Sequence, residues 1–265
     1  MLVKAEKTAI TNGVSKTAKL INKEISKDKR ILDYGCGKLR NSIYLLDNEF
    51  KVSICDTKDQ LINLNNNDKY EKQLAKFEDV FCCDGQVVTT DKYDIILNSF
   101  VLNVVDENTR RQILSNIRLM LKDDGYLYIE VRTYKDIENA KFKTPFQDGF
   151  LMGKQSIRTF QKPFYIDELE NFLLINGFNV QYTKDTGKSI IAIATKEKSM
   201  YKCECCESDL IWQSDFDYED YLIDNKEGIV AVYYCPHCDL LYEIFINMDN
   251  EVEEIWVNPM NDDEE

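Results

Sequence analysis

The chain has 265 residues, 44% of them apolar and 11% aromatic, which suffices for one α/β domain of roughly 200 residues and a small extra module. No stretch approaches ~18 consecutive apolar residues, and Met1–Lys19 is mixed polar, so neither a membrane span nor an export segment is expected, and a soluble cytoplasmic protein is. The net charge of −14 is unevenly spread: residues 201–265 hold 19 Asp and Glu against Lys202 and Lys226, whereas residues 1–200 hold 31 basic and 28 acidic side chains. The larger part is compatible with a nucleic-acid substrate; the acidic part repels phosphate backbones.

Val14, Ala18, Leu20, Ile21 and Ile25 share one face of a helix predicted from about Ser15 to Ile25. Arg30–Asp33 reads as a buried strand running into a Gly35-Cys36-Gly37 turn, with a helix through Ile43, Leu45 and Leu46 behind it. A second strand, Lys51–Asp56, ends in an acid, and an Asn-rich polar stretch leads to a third at Phe81–Asp84. Tyr93–Asn98 is the clearest strand; a helix over Glu107–Leu121 stops at Asp124-Gly125 before a fifth strand at Tyr126–Val131. Thr133–Pro163 lacks a regular pattern. A helix at Ile166–Asn176 stops at Gly177, and strands at Phe178–Thr183 and Ser189–Thr195 follow. This alternation predicts an α/β fold: a Rossmann-like, mostly parallel seven-stranded sheet with helices on both faces and an antiparallel pair at one edge.

Open α/β sheets bind ligands beyond the carboxyl ends of their strands. Gly35 and Gly37 permit a sharp turn and close backbone approach, and the N–H groups of the following helix start suit an anion. Asp56 is placed to accept from ribose hydroxyls, Asp84 to meet the exocyclic amine of adenine, and Asn98 to face the reacting group. Cys36, Cys55, Cys82 and Cys83 read as packing residues. The Ile31-Leu32-Asp33-Tyr34-Gly35-Cys36-Gly37 run resembles the first motif of class I S-adenosylmethionine (SAM)-dependent methyltransferases, and Asp56, Asp84 and Tyr93–Asn98 fall where that family has its later motifs. The resemblance covers about residues 10–200 and implies a SAM site formed by Asp33, Tyr34, Gly35, Cys36, Gly37, Asp56, Asp84 and Asn98. The family's third glycine is replaced by Leu39, and the dinucleotide-binding fingerprint is broken at Arg40, which argues against a nucleotide-dependent oxidoreductase.

A narrower resemblance, to methyltransferases associated with DNA phosphorothioation, is carried by Leu97–Val105 with Arg110 or Arg111, and by Asp148-Gly149-Phe150 with Thr159–Lys162. It implies a link to bacterial or phage defence. Asp148, Arg158, Thr159 and Gln161 are candidates to read a polar substrate from a segment roofing the pocket. No Asp/Asn-Pro-Pro-Tyr/Phe tetrapeptide or Pro-Cys pair follows the fourth strand, which speaks against those two routes of DNA base methylation. The methyl acceptor stays open, and so does a non-catalytic alternative in which the altered turn has lost turnover.

Cys203-Glu204-Cys205-Cys206 and Cys235-Pro236-His237-Cys238 form two knuckles 28 residues apart. They predict a structural Zn2+ site in a β-rich zinc ribbon, with Cys203, Cys206, Cys235 and Cys238 as ligands and Cys205 able to replace Cys203. The division expected is a methyltransferase domain over 1–198 and an acidic ribbon module over 199–265. That module suits a basic protein partner, folding onto its own catalytic domain, or nucleic-acid mimicry. Asn261–Glu265 reads as a disordered solubilising end.

Overall fold

The computed structural model describes residues 2–3, 8, 13–85, 93–138, 140–153, 158–221 and 227–259; the expected tail at Asn261–Glu265 lies outside them. Two compact units emerge: Met1–Leu173 with Asn179–Lys196, and Leu174–Phe178 with Glu197–Glu265.

In chain order the first elements are β1 (Leu2–Val3), α1 (Lys16–Glu24), β2 (Arg30–Tyr34), α2 (Arg40–Asp47), β3 (Lys51–Asp56), α3 (Lys58–Asn65), α4 (Asp68–Leu74) and β4 (Val80–Cys82). Then come β5 (Tyr93–Ser99), α5 (Glu107–Met120), β6 (Leu121–Arg132), α6 (Tyr134–Glu138), β7 (Lys143–Phe146), β8 (Gly149–Met152), β9 (Arg158–Gln161), α7 (Ile166–Leu174), β10 (Phe178–Asp185) and β11 (Ser189–Lys196). Seven strands form one sheet in the order β10-β11-β6-β5-β2-β3-β4. The pairs β2–β3, β2–β5, β3–β4 and β5–β6 are parallel, and β11 runs antiparallel to β6. The central strands are near-continuous apolar runs because both sheet faces are covered: Ile31, Leu32, Ile95, Ile96 and Leu97 are buried. The chain leaves β2 toward β3 on one side and returns with β5 on the other, so the switch point lies beyond the end of β2.

Helix starts are satisfied locally. Ser15 Oγ accepts the Ala18 N–H and Asp106 accepts the Thr109 N–H. Buried Glu130 of β6 adds a second cap to α1, accepting the N–H groups of Lys16 at 2.8 Å and Thr17 at 3.1 Å. β6 begins directly at Leu121, and Asp124-Gly125, expected as a stop between helix and strand, is absorbed as an irregularity in its pairing with β5.

The segment without a clear pattern, Thr133–Pro163, contains α6 and three short strands, which form a second sheet in the order β1-β9-β8-β7. β7 is exposed throughout and all four strands are short, so neither alternation nor an apolar run marks them. Arg110 of α5 ties this insert down. Its buried guanidinium pairs with Asp148 in the β7–β8 turn, donates to the Val105 carbonyl at 2.7 Å, and sits 6.0 Å from the Phe164 ring centre and 5.9 Å from that of Phe172. Asn103 adds a second tie, donating to the Lys162 carbonyl and accepting the Arg132 N–H, while the Lys162 N–H donates to the Asn103 carbonyl.

In the second unit, β12 (Ile211–Asp217), β13 (Gly228–Cys235), β14 (Leu240–Asn247) and β15 (Val252–Pro259) make an antiparallel meander. Phe245 and Trp256 pack at 4.5 Å between ring centres across β14 and β15. Among the described residues no helix is long and apolar enough to cross a membrane.

Asp148→Asn strips the buried Arg110 of its counter-charge. Because the Asp148 side chain is itself 32% exposed, the loss is expected at about 1–2 kcal/mol, below that of a fully buried pair. Thermal unfolding with limited proteolysis reads it: a lower melting temperature and faster cleavage within the insert.

Candidate functional site

A cavity of about 280 Å3 opens at the switch point, walled by the β2–α2 turn, the ends of β3 and β5, and the first turns of α5. The turn is built by positive φ at Gly35 (76°), Gly37 (56°) and Leu39 (62°). A Cβ on Gly35 would fall 2.4 Å from Val101 Cγ2, so close approach as well as conformation calls for glycine there. Leu39 is itself left-handed, a conformation that glycine adopts at less cost. Its side chain is wholly buried in the core beside Ile31 and Leu45, which holds it there against a strain of about 1 kcal/mol.

The strand-end acids lock this turn from below. Asp56 accepts the Gly37 N–H at 2.7 Å through one carboxylate oxygen and the Thr57 N–H at 2.8 Å through the other. Gly35 and Cys36 both donate to the Cys55 carbonyl, and the Gln60 amide donates to the Gly37 carbonyl. Asp33 is buried and accepts from the Ser42 hydroxyl at 2.5 Å, which ties β2 to α2. Burial pushes its carboxyl up to about 6, against the Ser42 bond and with the nearby Asp56 charge adding to the rise.

Tyr34, Gly35, Cys36, Gly37, Asp56 and Asp84 all line the cavity. Tyr34 turns its hydroxyl toward Asn116, which donates to it at 3.2 Å and to the Gly85 carbonyl at 2.8 Å. Asp84 accepts the Lys58 N–H at 2.8 Å. Asn98 is fully buried, donates to the Tyr34 carbonyl at 3.4 Å and is not among the lining residues; its neighbour Ser99 is. Burial raises the thiols of Cys36 and Cys55, which keeps them neutral. Cys82, read as a packing residue, is exposed, because β4 is the outer strand of the sheet. Of the substrate candidates, Gln161 lines the cavity, whereas Asp148 is held by Arg110 and Arg158 pairs in the small sheet.

Sequence reading missed Arg40 and Arg132, which the fold brings to the same cavity. Arg40 donates to the Gly13 carbonyl at 2.6 Å and lies 5.5 Å from the Phe100 ring centre; Arg132 pairs with Asp136 at 2.8 Å. No local pattern marks them, since they come together through tertiary folding.

In the second unit the Sγ atoms of Cys203, Cys206, Cys235 and Cys238 all lie within 4.8 Å of one another. Cys203–Cys238 is 3.8 Å and Cys206–Cys235 is 3.6 Å, near the edge of about 3.8 Å expected for a tetrahedron of thiolates ~2.3 Å from zinc. The two knuckles repeat one geometry. Glu207 and Asp239, each following the second cysteine of its knuckle, have φ of 57° and 58° and donate their N–H groups to the carbonyls of Cys203 and Cys235. Cys205 and His237 are exposed and stand outside the group. Burial opposes a Cys203 thiolate, but the Tyr242 hydroxyl and the Cys206 and Cys205 amides outweigh it and lower this thiol to about 6.

A family model described as a methyltransferase domain matches residues 8–183. The chain belongs to this methyltransferase-domain family. Its fold is shared by the PH0226 protein of Pyrococcus horikoshii OT3, with a TM-score of 0.57 at 16% identity over 68% of this chain and 87% of that one. It is also shared by the 1,6-didemethyltoxoflavin-N1-methyltransferase of Burkholderia thailandensis with bound S-adenosylhomocysteine, with a TM-score of 0.51 at 16% identity over 69% and 77%. The glycopeptide N-methyltransferase MtfA complexed with SAM aligns with a TM-score of 0.52 at 14% identity over 70% and 95%. No curated protein matches the sequence significantly.

The raised carboxyl of Asp33 has a consequence for stability. Its folded value of about 6 lies above the unfolded 3.8, so its contribution is fully present below about pH 4 and lost as pH rises through 6. The melting temperature of Asp33→Asn minus that of wild type is therefore expected to become more positive between about pH 4 and pH 7, by up to roughly 3 kcal/mol in stability. A pH-independent difference would contradict the burial argument.

Proposed function

We propose that the chain is a SAM-dependent methyltransferase whose cofactor lies in the switch-point cavity against the Gly35–Gly37 turn. The observation that carries this is the Asp56–Gly37 bond: one strand-end carboxylate fixes the glycine turn while facing the cavity at the place suited to ribose hydroxyls. Asp84 and Tyr34 then border the adenine end, and the turn borders the methionine end. SAM supplies a methyl group already activated on a sulfonium, so the protein's work is orientation and exclusion of water. Among the described lining residues Asp56 and Asp84 are the acids and no histidine is present, so the acceptor half of the cavity suits a nucleophile that needs no protein base. The catalytic reading is favoured over a non-catalytic one by the turn itself, where Leu39 continues the positive-φ pattern of Gly35 and Gly37.

The four-thiolate cluster is assigned to structural Zn2+, closed by its four protein ligands. The acidic strands of this module suit a basic protein partner. A tie to bacterial or phage defence rests on the likeness of the 97–105 and 148–162 segments to methyltransferases associated with DNA phosphorothioation. These segments are stitched together by the Arg110–Asp148 and Asn103–Lys162 contacts, which gives their joint presence a packing reason.

Titration calorimetry of SAM into wild type and Asp56→Ala tests the cofactor site. Micromolar binding is expected for wild type, weakened by roughly 30-fold or more in the variant, as for the loss of charge-assisted hydrogen bonds. No binding to the zinc-replete wild type would sink the reading. Metal analysis tests the second site: one zinc per chain is expected, lost in Cys235→Ser. Because structural zinc supplies on the order of 10 kcal/mol, the module should then become protease-sensitive.

A further inference from the structure

The small sheet β1-β9-β8-β7 carries partly exposed aromatic rings, of which Phe146 also meets the buried Phe160 edge-on at 6.3 Å between ring centres. Phe142, just before β7, is 61% exposed, and Phe146 within β7 is 39% exposed. Phe142 also has a φ of +65°, a left-handed conformation that glycine or asparagine adopts at less cost. Stability alone therefore disfavours phenylalanine here twice over, through strain and through exposure of the ring. Farther along the same segment Tyr165, 58% exposed, stacks on Tyr134 with ring centres 4.1 Å apart, and Lys162 Nζ lies 5.7 Å from the Tyr134 ring.

Cations are interleaved with these rings. Residues 133–165 contain Lys135, Lys141, Lys143, Lys154, Arg158 and Lys162 against Asp136, Glu138 and Asp148; of these Lys162 is buried and paired with Glu168, outside the segment. Two of these three acids are paired with arginines from outside the segment, Asp136 with Arg132 and Asp148 with Arg110. Lys135, Lys141 and Lys143 are exposed, and Lys143 Nζ lies 5.6 Å from the Phe150 ring centre. Among the described exposed charges of this segment, with Asp148 taken up by Arg110, Lys135, Lys141 and Lys143 stand against Glu138, which leaves the surface locally basic in a chain of net charge −14. β7 is the outer strand of the sheet, and Pro145 at its centre removes a backbone donor, which disfavours a partner that adds a β-strand.

We propose that this surface docks single-stranded nucleic acid, with Phe142 and Phe146 as stacking platforms and Lys141 and Lys143 meeting the phosphates. Such surfaces combine a basic track with exposed rings on which successive bases stack. β9 of the same sheet also supplies Gln161 to the cavity wall, where this glutamine is nearly fully buried with no hydrogen-bond partner for Oε1. The docking sheet and the cavity thus share a strand. That a docked strand presents the methyl acceptor rests on the cofactor reading above; the docking itself does not.

Fluorescence anisotropy of a labelled oligothymidylate of roughly 20 nucleotides, with the full chain at about 50 mM salt, tests the proposal. Micromolar binding is expected, weaker for a duplex of the same length. Phe142→Asn should weaken oligonucleotide binding about tenfold while leaving the melting temperature equal or higher, since asparagine tolerates the backbone conformation. Lys141→Gln with Lys143→Gln should weaken binding and reduce its salt dependence. Absence of binding by wild type, or unchanged binding by both variants, overturns the proposal; the latter would leave these rings to a protein partner. SAM titration of the same samples separates the two readings, because cofactor binding without oligonucleotide binding removes this inference alone.

Discussion

Between β2 and α2 the chain reverses direction within five residues, and Gly35, Gly37 and Leu39 all take positive φ there. A turn so costly persists because its surroundings over-determine it. Asp56 and Gln60 grip Gly37 from opposite sides of its peptide, the Cys55 carbonyl takes two amides, and Asp33 reaches across to Ser42. Most of these groups lie at carboxyl ends of parallel strands or in the turns that follow them. The cavity is therefore a product of the sheet: parallel strands ending together supply the side chains, and the switch of strand order supplies the opening.

Phe100 repeats the same device on the next strand. It follows β5 directly, has a φ of 62°, and donates its N–H to the Glu130 carbonyl at 2.7 Å. Its ring meets Arg40 across the cavity. Two of the left-handed non-glycine residues, Leu39 and Phe100, thus stand at the cavity, one at each side of the switch point. Glu130 also caps α1 through Lys16 and Thr17 and accepts from Ser189 of the antiparallel strand.

What could be read from the sequence follows from how each feature is encoded. Buried parallel strands announce themselves as apolar runs, and glycines and acids at their ends are set by local spacing, so Asp33, Gly35, Gly37, Asp56 and the two cysteine knuckles were legible. The cavity arginines were not, because Arg40 lies in a helix start and Arg132 in a strand end, and folding alone brings them together. The small sheet was hidden for a different reason. Its strands have four residues or fewer, and β7 is exposed throughout, so no buried face imposes a period. The outer strands of the C-terminal meander were obscured likewise: β15 is exposed along its length, whereas β13 and β14, which flank the second knuckle, each bury several apolar residues.

The distribution of charge gives these parts different physical tasks. An acidic excess confined to residues 201–265 is a poor match for a polyanion, while the segment holding β7, β8 and β9 is basic and aromatic within an otherwise balanced domain. A small module with 19 acids repels itself at neutral pH. Among the described residues its half-buried cysteine cluster is a place where a bound cation would add binding free energy to a small core. The buried residues around Cys203 and Cys235 are few, chiefly Leu210, Tyr242 and Ile244, too small a core to offset much chain entropy alone. Four sulfurs within 4.8 Å of one another, each knuckle closed by a left-handed residue and an amide-to-carbonyl bond, would supply what that core lacks once they hold a metal ion.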